Sequence, residues 1–218
     1  MKMTMQPNVT FFSRRGFFSV AASMSAGFVG SPQLAQAPPA GDSGLFVVGP
    51  KEGYSPQVGT LVSMLTLMRS MIVTPLKGTT MAQLDYLHDE KSNSIGAMLM
   101  HLAATERYYQ VDTFANSAWG SWDAIKKEWE VALNLGAPAR AHLKGRAIEH
   151  YLGILEDVRA KSLTEFKKRD DAWLLQVDKA SGWNNYAKWF HVCEHESNHN
   201  GQIKWIAGRL PGATASGG

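Results

Sequence analysis

The chain has 218 residues, 44% hydrophobic and 19% charged, with 22 Lys and Arg against 19 Asp and Glu and one Cys. That profile describes one globular domain, at most two. A lone Cys excludes an intrachain disulfide framework, and no run reaches the roughly 18 uninterrupted apolar residues that would point to a membrane-spanning helix. The formal charge of +3 invites an anionic partner, but the first 37 residues hold Lys2, Arg14 and Arg15 and no acid, and removing those three from 22 leaves 19 basic residues against 19 acidic ones. A neutral remainder has no basic stripe to track phosphates, so nucleic acid is not expected as a partner.

The first segment reads Ser13-Arg14-Arg15-Gly16-Phe17-Phe18, then a weakly apolar stretch from Ser19 to Gly30, then Ala35-Gln36-Ala37 before Pro38. A charged start, a short apolar middle and a small-x-small site form an export signal. The paired arginines followed by two Phe resemble the twin-arginine type, which exports proteins already folded. Residues 1–37 are therefore expected to be a cleaved signal peptide and the mature chain to be periplasmic or secreted. No Cys follows the cleavage site, so no lipid anchor is expected.

Residues 38–55, rich in Gly, Pro and small side chains, read as a linker. From Val58 the apolar residues Val58, Leu61, Leu65, Met68, Ile72 and Leu76 step by three and four, the period of a helix with one buried face. This predicts a first helix over 56–76, which Lys77-Gly78-Thr79-Thr80 ends. A second helix, 94–114, is capped from Ser92–Ser94 and lines up Met98, His101, Thr105 and Tyr108. A shorter helical stretch follows within 120–138, carrying Trp122 and Trp129. A third helix is predicted over 139–168, with Leu143, Ala147, Ile154, Val158 and Phe166 inward. After a connection over 173–183, a fourth runs from 184 to 210, where Pro211-Gly212 stops it. Residues 211–218 read as a disordered tail. Four long amphipathic segments without strand alternation or internal repeats predict an all-α antiparallel four-helix bundle over 56–210, with a short extra helix between the second and third.

The fourth helix contains His191-Val192-Cys193-Glu194-His195-Glu196-Ser197-Asn198-His199. Residues four apart lie on one helix face, so His195 and His199 can offer two imidazoles to one ion. They share a stripe with Val192, Ile203 and Ile206, and two uncompensated imidazoles in a core would be costly. His101, on the inward stripe of the second helix, is the natural third donor. Three neutral imidazoles suit Zn, Ni, Cu or Fe alike, and around such a divalent cation they leave one position for water or a small-molecule substrate. Cys193 is turned about 200° from His195 and reads as a packed hydrophobe. His191 and Glu196 are candidates for steadying a ligand imidazole, Glu106 lies about 140° round from His101, and His150 is a weak candidate for lining the pocket. His88 and His142 read as surface or loop residues. No clear general base emerges.

Ser94-Ile95-Gly96-Ala97-Met98-Leu99-Met100-His101-Leu102-Ala103-Ala104-Thr105-Glu106, taken with His195-Glu196-x-x-His199-x-Gly201-Gln202-Ile203, resembles the DinB/YfiT-like superfamily of metal-binding four-helix bundles. The resemblance covers roughly 58–210. It implies metal ligation by His101, His195 and His199, a frequent homodimer, and thiol-dependent S-transfer in the branches whose chemistry is known. Export would remove the chain from the thiol pool of the reducing cytoplasm. Two readings follow: an exported metal-dependent hydrolase or transferase, and a non-catalytic metal- or ligand-binding module.

Overall fold

The computed structural model describes residues 44–115, 117 and 120–211. The expected signal peptide, residues 38–43 of the linker and the tail from 212 onward lie outside the described residues.

Helix α1 (Pro56–Val73) opens on proline, whose missing N–H is no loss in a first turn. Its free amides at Gln57 and Val58 donate instead to Asp171 Oδ1, at 2.9 and 3.2 Å. Pro75 cannot continue the ladder, and the end tightens into a 3-10 turn, Thr74–Leu76. The breaker segment holds a single-turn helix, α2 (Met81–Leu84), closed by a reciprocal Thr80–Gln83 capping box. Helix α3 (Ile95–Phe114) starts where Ser94 Oγ accepts from the Ala97 amide. Helices α4 (Asp123–Asn134) and α5 (Gly136–His142) meet at Leu135, which takes φ 54°.

The single helix predicted over 139–168 is in fact two, α5 and α6 (Ile148–Phe166). Gly145 breaks it at φ +73°, a left-handed conformation open to a residue without Cβ, and its amide donates to Asp85 Oδ2 at 2.8 Å. Leu143 is consequently only half-buried, and Ala147 is an exposed cap residue rather than a core one. Helix α7 (Asp171–Leu175) begins the predicted connection, and α8 (Asn185–Ala207) follows its cap at Asn184.

The described residues are all-α, with no strand. The contacts between long helices give their directions. Gly96 approaches Tyr151 and Gln110 bonds to Ser162, so α3 and α6 run parallel. Arg159 reaches the Leu65 carbonyl and Arg69 that of Leu155, so α1 and α6 run antiparallel. Trp189 meets Thr113 while His199 packs against His101, so α8 opposes α3 and runs with α1. Parallel neighbours cannot be joined by a tight turn, and α4 and α5 form the crossover from α3 to α6. By length and composition residues 56–76 could cross a membrane. In this fold that helix buries Val58, Leu61, Leu65 and Ile72 in the bundle and carries a buried arginine on the same side.

Two apolar clusters fill the bundle. One gathers Phe166, Trp173, Trp189 and Tyr109 around the start of α1 and the end of α3. The other gathers Leu99, Leu102, Trp129, Tyr151 and Ile203 at the opposite end. Full burial of one such side chain stabilises by about 1.5–3 kcal/mol. Together they hold α3 and α8 in the register that the histidines require.

Candidate metal centre

On α3, His101 and Thr105 stand one turn apart; on α8, so do His195 and His199. Because these helices are antiparallel neighbours, the two pairs meet across the interface. His101 Nε2 and His195 Nε2 are 2.8 Å apart, and Thr105 Oγ1 lies 3.4 Å from His195 Nε2. The His101 ring is 4.9 Å from each of the other two rings, which are 4.5 Å from one another. One nitrogen from each falls within 4.8 Å of the others, a spread that one divalent ion can span.

The chemistry of the donors fits such an ion. His101 Nδ1 faces the Ala132 carbonyl at 2.9 Å; a carbonyl only accepts, so Nδ1 carries the proton and Nε2 keeps its lone pair. His199 Nδ1 is paired in the same way with Gln202 Oε1 at 3.0 Å. Fixing the outer nitrogen in this way orients the inner one toward a metal. All three imidazoles resist protonation. Burial, then the neighbouring His199, His101 and His191, pushes His195 down to about 3. Burial and His101 bring His199 to about 4, and burial lowers His101 against the bond to Ala132. Neutral imidazoles gathered at one point are the form that ligates a cation.

The carboxylates are placed elsewhere. Glu106 on α3 and Glu196 on α8 are fully buried with Arg69 from α1 and Arg159 from α6, so each long helix contributes one charge. Glu106 accepts from Arg159 Nε at 2.8 Å, Arg69 Nη2 at 2.8 Å and Ser162 Oγ at 2.6 Å. Glu196 Oε1 accepts from Arg69 Nε at 3.0 Å and Arg159 Nη2 at 2.8 Å. Burial opposes ionisation of Glu106, but the guanidinium groups of Arg159 and Arg69 outweigh it and hold the carboxyl at about 2. Among the described residues no carboxylate joins the histidine cluster. Glu106 and Glu196, weighed from sequence as partners of the site, here bind arginines that tie the helices together.

The other candidates separate. His191 packs edge-on against His195 at 5.5 Å and pairs with Glu194 at 3.4 Å. His150 is exposed, its ring edge-on to Tyr151 at 5.4 Å. Cys193 is buried in the aromatic cluster, and burial raises its thiol to about 11, which makes it inert. Sequence reasoning passed over Arg69, Arg159 and Gln202. The first two carry a signal: Arg69 is four residues after Leu65 and three before Ile72, and Arg159 is four after Leu155. Both are therefore charges on an apolar stripe.

A helical bundle whose described residues bring three imidazoles together, with no carboxylate among them, belongs to the class of all-α proteins with a cluster that could hold a divalent cation. The family model described as mycothiol-S-transferase matches residues 60–212, and the chain belongs to that family, one of the DinB/YfiT-like families. No curated protein matches the sequence.

Proposed function

We propose that this chain is a metal-dependent S-transferase that joins a low-molecular-weight thiol to an electrophile, R–SH + R′–X giving R–S–R′ and HX. The observation that carries it is the pairing of three neutral imidazoles with the removal of both nearby glutamates into arginine ion pairs. A hydrolase acting on water is helped by a base that moves protons, and among the described residues no carboxylate stands beside the histidines to serve. A thiol needs far less help. Zn or Ni at His101, His195 and His199 would supply positive charge that favours thiolate over thiol at neutral pH. His101 and His199 are locked in one tautomer by Ala132 and Gln202, so they keep their lone pairs directed inward. The Thr105 hydroxyl, 3.4 Å from His195 Nε2, would be within reach of a group held at such an ion. The family name supports the same chemistry.

The test is to load purified protein with Zn or Ni and offer mycothiol, bacillithiol or glutathione with monobromobimane. Conjugate formation should depend on metal and vanish in His199→Ala. Stoichiometric metal with no conjugate from any thiol would favour the non-catalytic module.

Residues 1–37 support a separate proposal, export of the folded chain to the periplasm or beyond, where the thiol would have to come from outside the reducing cytoplasm. Folding first would let the site take its ion in the cytoplasm. Changing Arg14 and Arg15 together to Lys should leave the full chain in the cytoplasmic fraction with its N-terminus uncut. An unchanged distribution between fractions would overturn the export proposal and leave the transferase reading intact.

A further inference from the structure

A hollow of about 530 Å³ lies between α8 and the turn that leads into α3, lined on α8 by Asn198 and Gln202, one residue before and three after His199. Its wall is mostly apolar, from Met98, Trp205 and Ile206, with the amide of Gln202 on one side and Lys91 at the rim. Three features show it to be built rather than incidental.

The first is Gly201, which lies inside helix α8 and lines the hollow. A Cβ built there meets nothing within 4 Å, so no packing constraint requires glycine, and glycine is among the poorest helix formers. The missing side chain leaves volume in the hollow. The second is Trp205, which is 45% exposed yet touched by two other side chains. The Arg209 guanidinium sits 3.9 Å over its ring, and His88 meets it edge-on at 4.6 Å. Arg209 covers part of the ring, so the indole is held in place and contributes apolar surface to the hollow. The third is Gln202, which both lines the hollow and accepts from His199 Nδ1 at 3.0 Å. Whatever occupies the hollow therefore touches the group that orients a ligand imidazole.

We propose that this hollow is the acceptor pocket, taking the electrophile as a flat apolar molecule with one anionic group directed to Lys91, and that Gly201 is the residue that keeps it open. The assignment as acceptor pocket rests on the transferase reading; the binding itself does not. The apolar wall and the indole select an aromatic-sized body, and the lysine among the lining residues selects a negative charge.

Equilibrium titration of the full chain with 1-anilinonaphthalene-8-sulfonate, which has an apolar body and one sulfonate, tests the proposal without turnover. Gly201→Leu should weaken binding by about tenfold or more by filling the hollow, whereas Gly201→Ala should bind nearly as wild type. Lys91→Ala should weaken the sulfonate by about threefold and leave the neutral N-phenyl-1-naphthylamine unaffected. Phe190→Ala, in the separate apolar hollow near His191, should change nothing. Helical circular dichroism and metal content should match wild type in every variant. Unchanged binding in Gly201→Leu, or binding lost in Phe190→Ala, overturns the pocket. A wild-type protein that binds the probe at Gly201 but takes up no metal overturns the transferase reading and leaves the pocket standing.

Discussion

Replacing His199 by Ala should lower affinity for Zn or Ni by at least about 100-fold, since even residues that only orient a ligand are worth 10–100-fold in metal affinity. Three imidazoles converge here, and two cannot close a four-coordinate shell. In wild type, chelation should lower the melting temperature by about 5–10 °C, because ligand at 100 times its Kd adds about 2.7 kcal/mol and each kcal/mol moves a domain of this size by about 2–4 °C. In His199→Ala chelation should do nothing. Acid should compete weakly for the site: with His195 at about 3 and His199 at about 4, neither imidazole takes up a second proton at pH 5. Metal uptake should therefore persist from pH 7 down to about pH 5, where ordinary imidazoles, titrating near 6.5, would already have released it. Metal analysis beside calorimetry, with and without chelator, reads all three results. A melting shift on chelation that survives in His199→Ala would place the ion elsewhere.

How much of this was legible in the sequence depends on the range of the interaction. The stripe from Val58 to Leu76 and the cap at Ser94 are local patterns, and the helices they predict begin within a residue or two of where they stand. The two histidines on α8 are one turn apart by arithmetic, and His101 follows once α3 faces α8. What local patterns hide is pairing between distant segments. The break at Gly145 goes unread because glycine is tolerated within helices, and what decides the matter is a carboxylate 60 residues earlier, at Asp85. Glu196 reads as a candidate for steadying a ligand imidazole, and Glu106 as a weak candidate beside the site, because each stands near a ligand in sequence. Their true partners lie 37 and 127 residues away at Arg69. Only the parallel run of α3 with α6, made possible by the α4–α5 crossover, brings the four charges together. Charge neutrality in the core is thus a property of the topology.

That four-helix knot predicts the largest stability effect in the molecule. Glu106→Gln leaves Arg69 and Arg159 with Glu196 as their only charged partner among the described residues, in a core where Glu106 is 0% exposed. Breaking a buried pair by removing one member costs about 3–5 kcal/mol, a large part of the 5–15 kcal/mol that an ordinary domain has in total. The loss should carry a pH signature that a packing defect lacks. The Glu106 carboxyl is held at about 2 in the fold and titrates near 4.5 when unfolded, so its stabilisation is complete above about pH 4.5 and drains away as pH falls toward 2. The gap between wild type and Glu106→Gln in urea unfolding should be widest at neutral pH and narrow steadily below pH 4.5. Because Glu196 lies between His195 and His199 on α8 and shares the same arginines, the variant should also loosen the metal site, but only through the helix that carries it. Replacing all four charged residues by apolar ones of similar volume separates the two roles. Stability should return, since buried ion pairs often exchange for hydrophobic packing at little cost, and metal affinity should return with it if the knot serves only to set the helices. Recovery of stability without recovery of metal affinity would show that the charges themselves act on the histidines.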